Sequence, residues 1–134
     1  MADNKAVILE LNEYADAKQY TVAAGTSISR GDLLKLSGDN TAIISSGSDA
    51  YAGVAAADKD GSDSSTSLAV YTPGQGHKFD MTVNALAGVT LGAQVALSGA
   101  NVIRNAVAGD LLLGKVVGVA QETGSASEVI VVLS

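Results

Sequence analysis

Lys78-Phe79-Asp80-Met81-Thr82-Val83 reads as a β-strand with one face turned to a core, because Phe79, Met81 and Val83 alternate with polar residues at period two. Working outward, Ser67 to Thr72 (SLAVYT), Asp32 to Leu36 (DLLKL) and Gln94 to Ser98 (QVALS) have the same character. Lys115 to Ala120 and Glu128 to Leu133 are short β-branched runs. Turn signals separate them at short spacing: Ser37-Gly38-Asp39-Asn40, Asp60-Gly61-Ser62, Pro73-Gly74, Ser98-Gly99-Ala100-Asn101 and Gly124-Ser125. Many short strands joined by Gly, Asn, Asp and Ser predict an all-β fold, a small sandwich or barrel. Helix is scarce, with single turns expected near Asn12 to Gln19 and near Asn84 to Gly88.

The chain also repeats itself. Gly31 to Gly38 (GDLLKLSG) aligns with Gly92 to Gly99 (GAQVALSG), an offset of 92 − 31 = 61. Gly53-Val54-Ala55 matches Gly118-Val119-Ala120 at 118 − 53 = 65, and Leu68 to Tyr71 matches Val129 to Val132 at 129 − 68 = 61. Two copies are too few for a solenoid. They suit two similar β-meanders, about 31–72 and 92–133, packed into one core with Lys78 to Val83 bridging them. Residues 21–134 then form a single β domain, and residues 1–20 an N-terminal arm.

That arm carries Ala6-Val7-Ile8-Leu9-Glu10-Leu11, an apolar run with no turn partner close behind it. Exposed, such a run is an aggregation-prone edge, so it must pair. It is either an ordinary first strand of the barrel or an arm that adds a strand to a neighbour, and the two can both hold in part.

Composition narrows the function classes. The 134 residues suit one domain, and 47% of them are hydrophobic, yet only 4% are aromatic, with one Phe and no Trp. The core is therefore built from Ala, Val, Leu and Ile, which bury less area than rings do. A formal charge of −6 repels phosphate backbones, so no nucleic-acid partner is expected. Without cysteine there is no disulfide framework or thiolate metal site. No window is long enough to span a bilayer, and the opening residues carry no export signal, so synthesis in a cytoplasm without a membrane partner is expected.

Chemistry is sparse. The single histidine, His77, lies in the turn TPGQGHKFD and reads as a solvated loop residue; catalysis would need it paired with a serine and Asp80, and no nucleophile elbow accompanies it. Gly74-Gln75-Gly76 lacks the Lys and Ser/Thr of a phosphate loop. A calcium loop starting at Asp58 would want a Glu where Ala69 stands. Arg30-Gly31-Asp32 spells an adhesion tripeptide but reads as turn chemistry. No catalytic, metal or cofactor site is expected.

Together, Gly31 to Ser37, Ala52 to Asp58, Ser67 to Gly74, Leu91 to Ser98, Leu113 to Ala120 and Val129 to Leu133 resemble the phage head-decoration (capsid cement) proteins. The likeness is to both the lambda head-protein-D type and a related family of small capsid-associated proteins. It is a grammar of Gly, Val and Ala spacing over about residues 20–134, and the lambda type matches mainly around Gly53 to Gly74. The resemblance implies a β-tulip-like fold and a homotrimer, with dimers among relatives. It also implies binding to major capsid subunits on the outside of the expanded head, as a virion protein stabilising the mature shell. Under it, the capsid contacts fall on Val7, Ile8, Leu9, Leu11, Tyr14 and Tyr20, since Tyr is favoured at interfaces. The rival readings are an adhesive or carbohydrate-binding module, a small hydrolase acting through His77, and a tail-tube or fibre component.

Overall fold

The computed structural model describes residues 6–10, 17–47, 50–62, 66–72, 76–83, 89–107, 109–110, 114–122 and 128–133. Among these residues every regular element is a strand: β1 (Val7–Glu10), β2 (Lys18–Thr21), β3 (Leu33–Gly38), β4 (Thr41–Ile44), β5 (Tyr51–Ala55), β6 (Ser67–Tyr71), β7 (Lys78–Val83), β8 (Gln94–Gly99), β9 (Val102–Asn105), β10 (Val116–Ala120) and β11 (Glu128–Leu133). The fold is all-β, as its alternation predicts. Of the expected helical turns, 12–16 and 84–88 lie outside the described residues, while Lys18 and Gln19 are extended in β2.

Strands β2-β4-β3-β5-β6 close one barrel. Strands β7-β11-β10-β8-β9 close a second through the β7–β9 pairing, and β1 is added outside it on β7. The two barrels have one topology. Thr21 faces Ser67 across β2 and β6, and Thr82 faces Glu128 across β7 and β11, both 61 residues on. Parallel pairs close each barrel at Thr21↔Thr41 and Thr82↔Val102. The offset of 65 at β5 and β10 arises from a longer β9–β10 connection and a correspondingly shorter β10–β11 connection.

This register revises two expectations. Lys78 to Val83 is the first strand of the second barrel and not a bridge, and its counterpart Lys18–Thr21 is the first strand of the first. The repeated unit thus starts earlier than the Gly-rich alignment indicates, and the boundary drawn at residue 20 falls inside β2. The reason is local: β2 shares no glycine and little apolar character with β7.

Each barrel also has its own interior. Val22, Ile28, Leu34, Ala42, Leu68 and Val70 fill the first. The second is filled by Phe79, Met81, Leu97, Ile103, Val131 and their neighbours, and it extends across the junction to Leu33, Tyr51 and Val54 of the first barrel. Strand β5 is buried along its whole length for that reason: Ala52 and Ala55 face its own interior, and Tyr51 and Val54 face the second barrel.

Polar groups fix the junction. Asn101, in the β8–β9 turn at φ 61°, presents Oδ1 to the Leu33 N–H (2.7 Å) and donates from Nδ2 to Asp32 Oδ1 (3.1 Å). Ser45 Oγ donates to the Gly99 carbonyl (2.9 Å) and accepts from the Asn101 N–H (3.2 Å). The Tyr51 N–H donates to the Gly114 carbonyl (2.8 Å). Buried donors and acceptors that find partners only when the barrels are in register make the docking specific.

Candidate interaction surface

Strand β1 lies antiparallel on β7, with Val7 opposite Asp80, Ile8 opposite Phe79 and Glu10 opposite Lys78, and an irregularity between Ile8 and Glu10. Ala6 anchors its start: the residue is buried, and its N–H donates to the Gly31 carbonyl (2.8 Å) of the first barrel. Alternation then divides the apolar run. Ile8 packs against the second barrel's interior, whereas Val7 is 54% and Leu9 44% exposed. Exposure of two adjacent same-face aliphatics on one short strand distinguishes this surface from scattered apolar positions such as Leu36, Leu91 and Val107.

The expected contact residues therefore separate. Val7 and Leu9 share an outward face and Ile8 points inward. Tyr20 is on β2 of the other barrel, partly buried against that barrel's interior. Leu11 and Tyr14 lie outside the described residues.

The remaining candidates are held in structural roles. Asp32 of the Arg-Gly-Asp stretch is 3% exposed. Its Oδ2 accepts from the Ser29 N–H (2.8 Å) and its Oδ1 from Asn101, so this carboxylate is committed to the junction. Asp58 Oδ1 accepts from the Arg30 N–H (2.7 Å). Asp60 Oδ1 accepts from the N–H and hydroxyl of Ser62, bonds that hold its carboxyl below the usual carboxylate range. Among the described residues no group of three or more His, Cys, Asp or Glu side chains could hold a metal ion, and there is no pocket.

His77 is the clear correction. It is not a solvated loop residue but fully buried, its ring centroid 5.1 Å from that of Tyr71 and 6.5 Å from that of Phe79. Tyr71 ends β6 of the first barrel and Phe79 belongs to β7 of the second, so the ring sits where the barrels meet. Burial pushes its pKa down. The His77 carbonyl accepts from the Leu133 N–H (2.9 Å), which continues the β7–β11 ladder one residue and turns the side chain onto the core side. Asp80, the acid a catalytic reading would pair with it, alternates to the other face of β7.

Sequence reasoning missed the junction residues Asp32, Ser45 and Asn101. Their available signal is an asymmetry inside the repeat: the positions 61 residues after Asp32 and Ser45 are Ala93 and Ala106.

No family model matches the chain, and no curated protein matches it. Among solved structures the chain is similar to the crystal structure of the head fiber gp8.5 N base of bacteriophage phi29, at 18% identity and a TM-score of 0.49, over 87% of this chain and 93% of that one.

Proposed function

We propose that the chain is a structural protein of a tailed-phage virion, a decoration protein that binds the outer surface of the expanded head and stabilises it by holding neighbouring major capsid subunits together. The observation that carries the reading is β1. It lies outside the repeated barrel, is anchored at Ala6 and through Ile8, and presents Val7 and Leu9 to solvent on one face. The spacing resemblance to head-decoration proteins supplies the partner. A ligand made of several capsid subunits exists only in the expanded shell, so binding favours that state by mass action.

The test is co-sedimentation of the purified protein with expanded, undecorated heads beside unexpanded procapsids. Saturable binding to expanded heads alone is the expected result. A folded protein that binds neither shell overturns the proposal and leaves the fibre, tail and adhesive readings. Equal binding to both shells removes the link to maturation.

A further inference from the structure

The repeat exposes an inequality between the two barrels. In the second, one edge of β7 is taken by β11 along its length. The opposite edge is shared, with β9 pairing at Thr82 and Val83 and β1 at Lys78 to Asp80. In the first barrel β6 takes one edge of β2 from Lys18 to Thr21, and β4 holds the other edge at Thr21 alone. Subtracting 61 carries Asp80 to Gln19 and Phe79 to Lys18. The place that β1 fills on β7 therefore corresponds to residues 17–19, at the start of β2, and no described strand lies there.

Hydrogen-bond direction agrees. The Thr21 N–H donates away from β6, to the Asn40 carbonyl (2.8 Å), and the Val22 N–H donates toward it, to the Thr66 carbonyl (3.0 Å). Alternation then points the N–H and C=O of Gln19 out of the open edge. Its side chain is engaged elsewhere, accepting from Ser67 Oγ (2.8 Å).

Strand β1 has a matching edge. The Leu133 N–H bonds to the His77 carbonyl, so alternate residues of β7 bond to β11, and Asp80 bonds the other way, toward Val7. Ile8 consequently turns its N–H and C=O outward, and β1 has no second partner among the described strands.

Among the described residues each chain thus has two equivalent acceptor edges, one on β7 and one on β2, and one added strand. A strand has two edges. We propose that β1, while held on its own β7, pairs through its outer edge with residues 17–19, at the start of β2, in a second copy of the chain. This satisfies both acceptors with one strand, which a β1-to-β1 contact would not do. One donor and one acceptor per chain make a head-to-tail contact, which closes into a ring when its rotation allows. The contact uses strand edges and leaves the Val7 and Leu9 face available, so it does not depend on the capsid reading.

The chain has no cysteine, so introduced ones report without background. Leu9→Cys chains are mixed with Lys18→Cys chains, and separately with Gln19→Cys chains, under mild oxidation. An antiparallel contact sets Ile8 opposite Gln19 and juxtaposes the first pair, whereas a parallel one sets Ile8 opposite Lys18, bonded to residues 17 and 19, and juxtaposes the second. One mixture is expected to give a mixed disulfide dimer and the other not. Separately, Gln19→Pro removes the outward N–H at an edge, where proline is tolerated. It is expected to convert a closed oligomer into monomer in sedimentation while the far-UV circular dichroism is unchanged. A wild-type monomer at every concentration reached, no cross-link in either mixture, or a Leu9→Cys chain that cross-links only to itself overturns the proposal. Should Gln19→Pro fail to fold, the cysteine mixtures still decide.

Discussion

Gly53 and Gly118 occupy equivalent places in β5 and β10, and at both the last strand of the barrel leaves no room for a side chain. A Cβ at Gly53 would collide with the Tyr71 carbonyl oxygen and with Val70, and one at Gly118 with the Val132 carbonyl oxygen and Val131. Because backbone cannot yield as a side-chain tip can, Gly53→Ala and Gly118→Ala should each destabilise by about 2–3 kcal/mol, within the usual range for overpacking. Gly47→Ala meets nothing within 4 Å and is the control. Urea denaturation of the three variants checks this. The sequence displays this pair as a recurring Gly-Val-Ala, so its position is legible, while the close approach that requires it depends on strands 15 or so residues away. Asn101 is less legible still. Asn40 and Asn101 close equivalent turns with positive φ (48° and 61°), yet Asn40 is exposed and Asn101 is buried in the junction. Asn101→Gly keeps the turn conformation and strips the Leu33 N–H of its partner, so a loss of about 1–3 kcal/mol is expected. Asn40→Gly, by contrast, should be close to neutral in the same denaturation measurement.

At the scale of elements, strand alternation makes β1 a strand with two functions on two faces. Val7→Ser and Leu9→Ser change exposed side chains and should leave stability within about 0.5 kcal/mol. Ile8→Ser removes a side chain packed on the second barrel's interior and should lower stability measurably. If the outward face of β1 is the shell contact, the Val7 and Leu9 substitutions weaken co-sedimentation with expanded heads while the melting curve stays in place. Unchanged occupancy would remove β1 from the interface. The need for β1 to pair was legible in its apolar run, because such a segment cannot remain an open edge. Which strand it pairs with was not, since nothing in Val7 to Glu10 identifies β7 over any other alternating strand. The same limit hid β2: Lys18-Gln19-Tyr20-Thr21 has too little apolar character to mark a strand, and it is placed by the barrel that β3 to β6 leave open.

At the scale of the molecule, two barrels of one topology are joined by contacts that the repeat does not share. Asp32 and Ser45 receive Asn101, and the alanines at the equivalent positions of the second barrel could not receive Asn40, so the stacking runs one way and ends. A repeat that is legible as a pattern of glycines is silent about this asymmetry, which rests on three polar side chains far apart in the chain. His77 belongs to the same junction, buried between Tyr71 and Phe79 and contributed by the loop that links the barrels. Desolvation disfavours its charged form, so its folded pKa lies below its unfolded value near 6.5. The unfolded chain then binds the proton more readily than the folded one. Stability is full above the unfolded value and is lost as pH falls from there toward the folded value, below which it levels off. His77 is the single histidine, so this window is separable from the carboxylates. Asp110, held low chiefly by its bond from Arg104 (3.0 Å), loses its contribution only in more acidic solution. Asp80, raised by burial and by Glu128 and Glu122, acts there with the opposite sign. Urea stability measured in steps between about pH 8 and pH 5 should fall for the wild type across the histidine window. In His77→Leu that slope should vanish while the carboxylate-driven change at lower pH persists. An identical slope in the variant would mean that the junction does not keep His77 neutral.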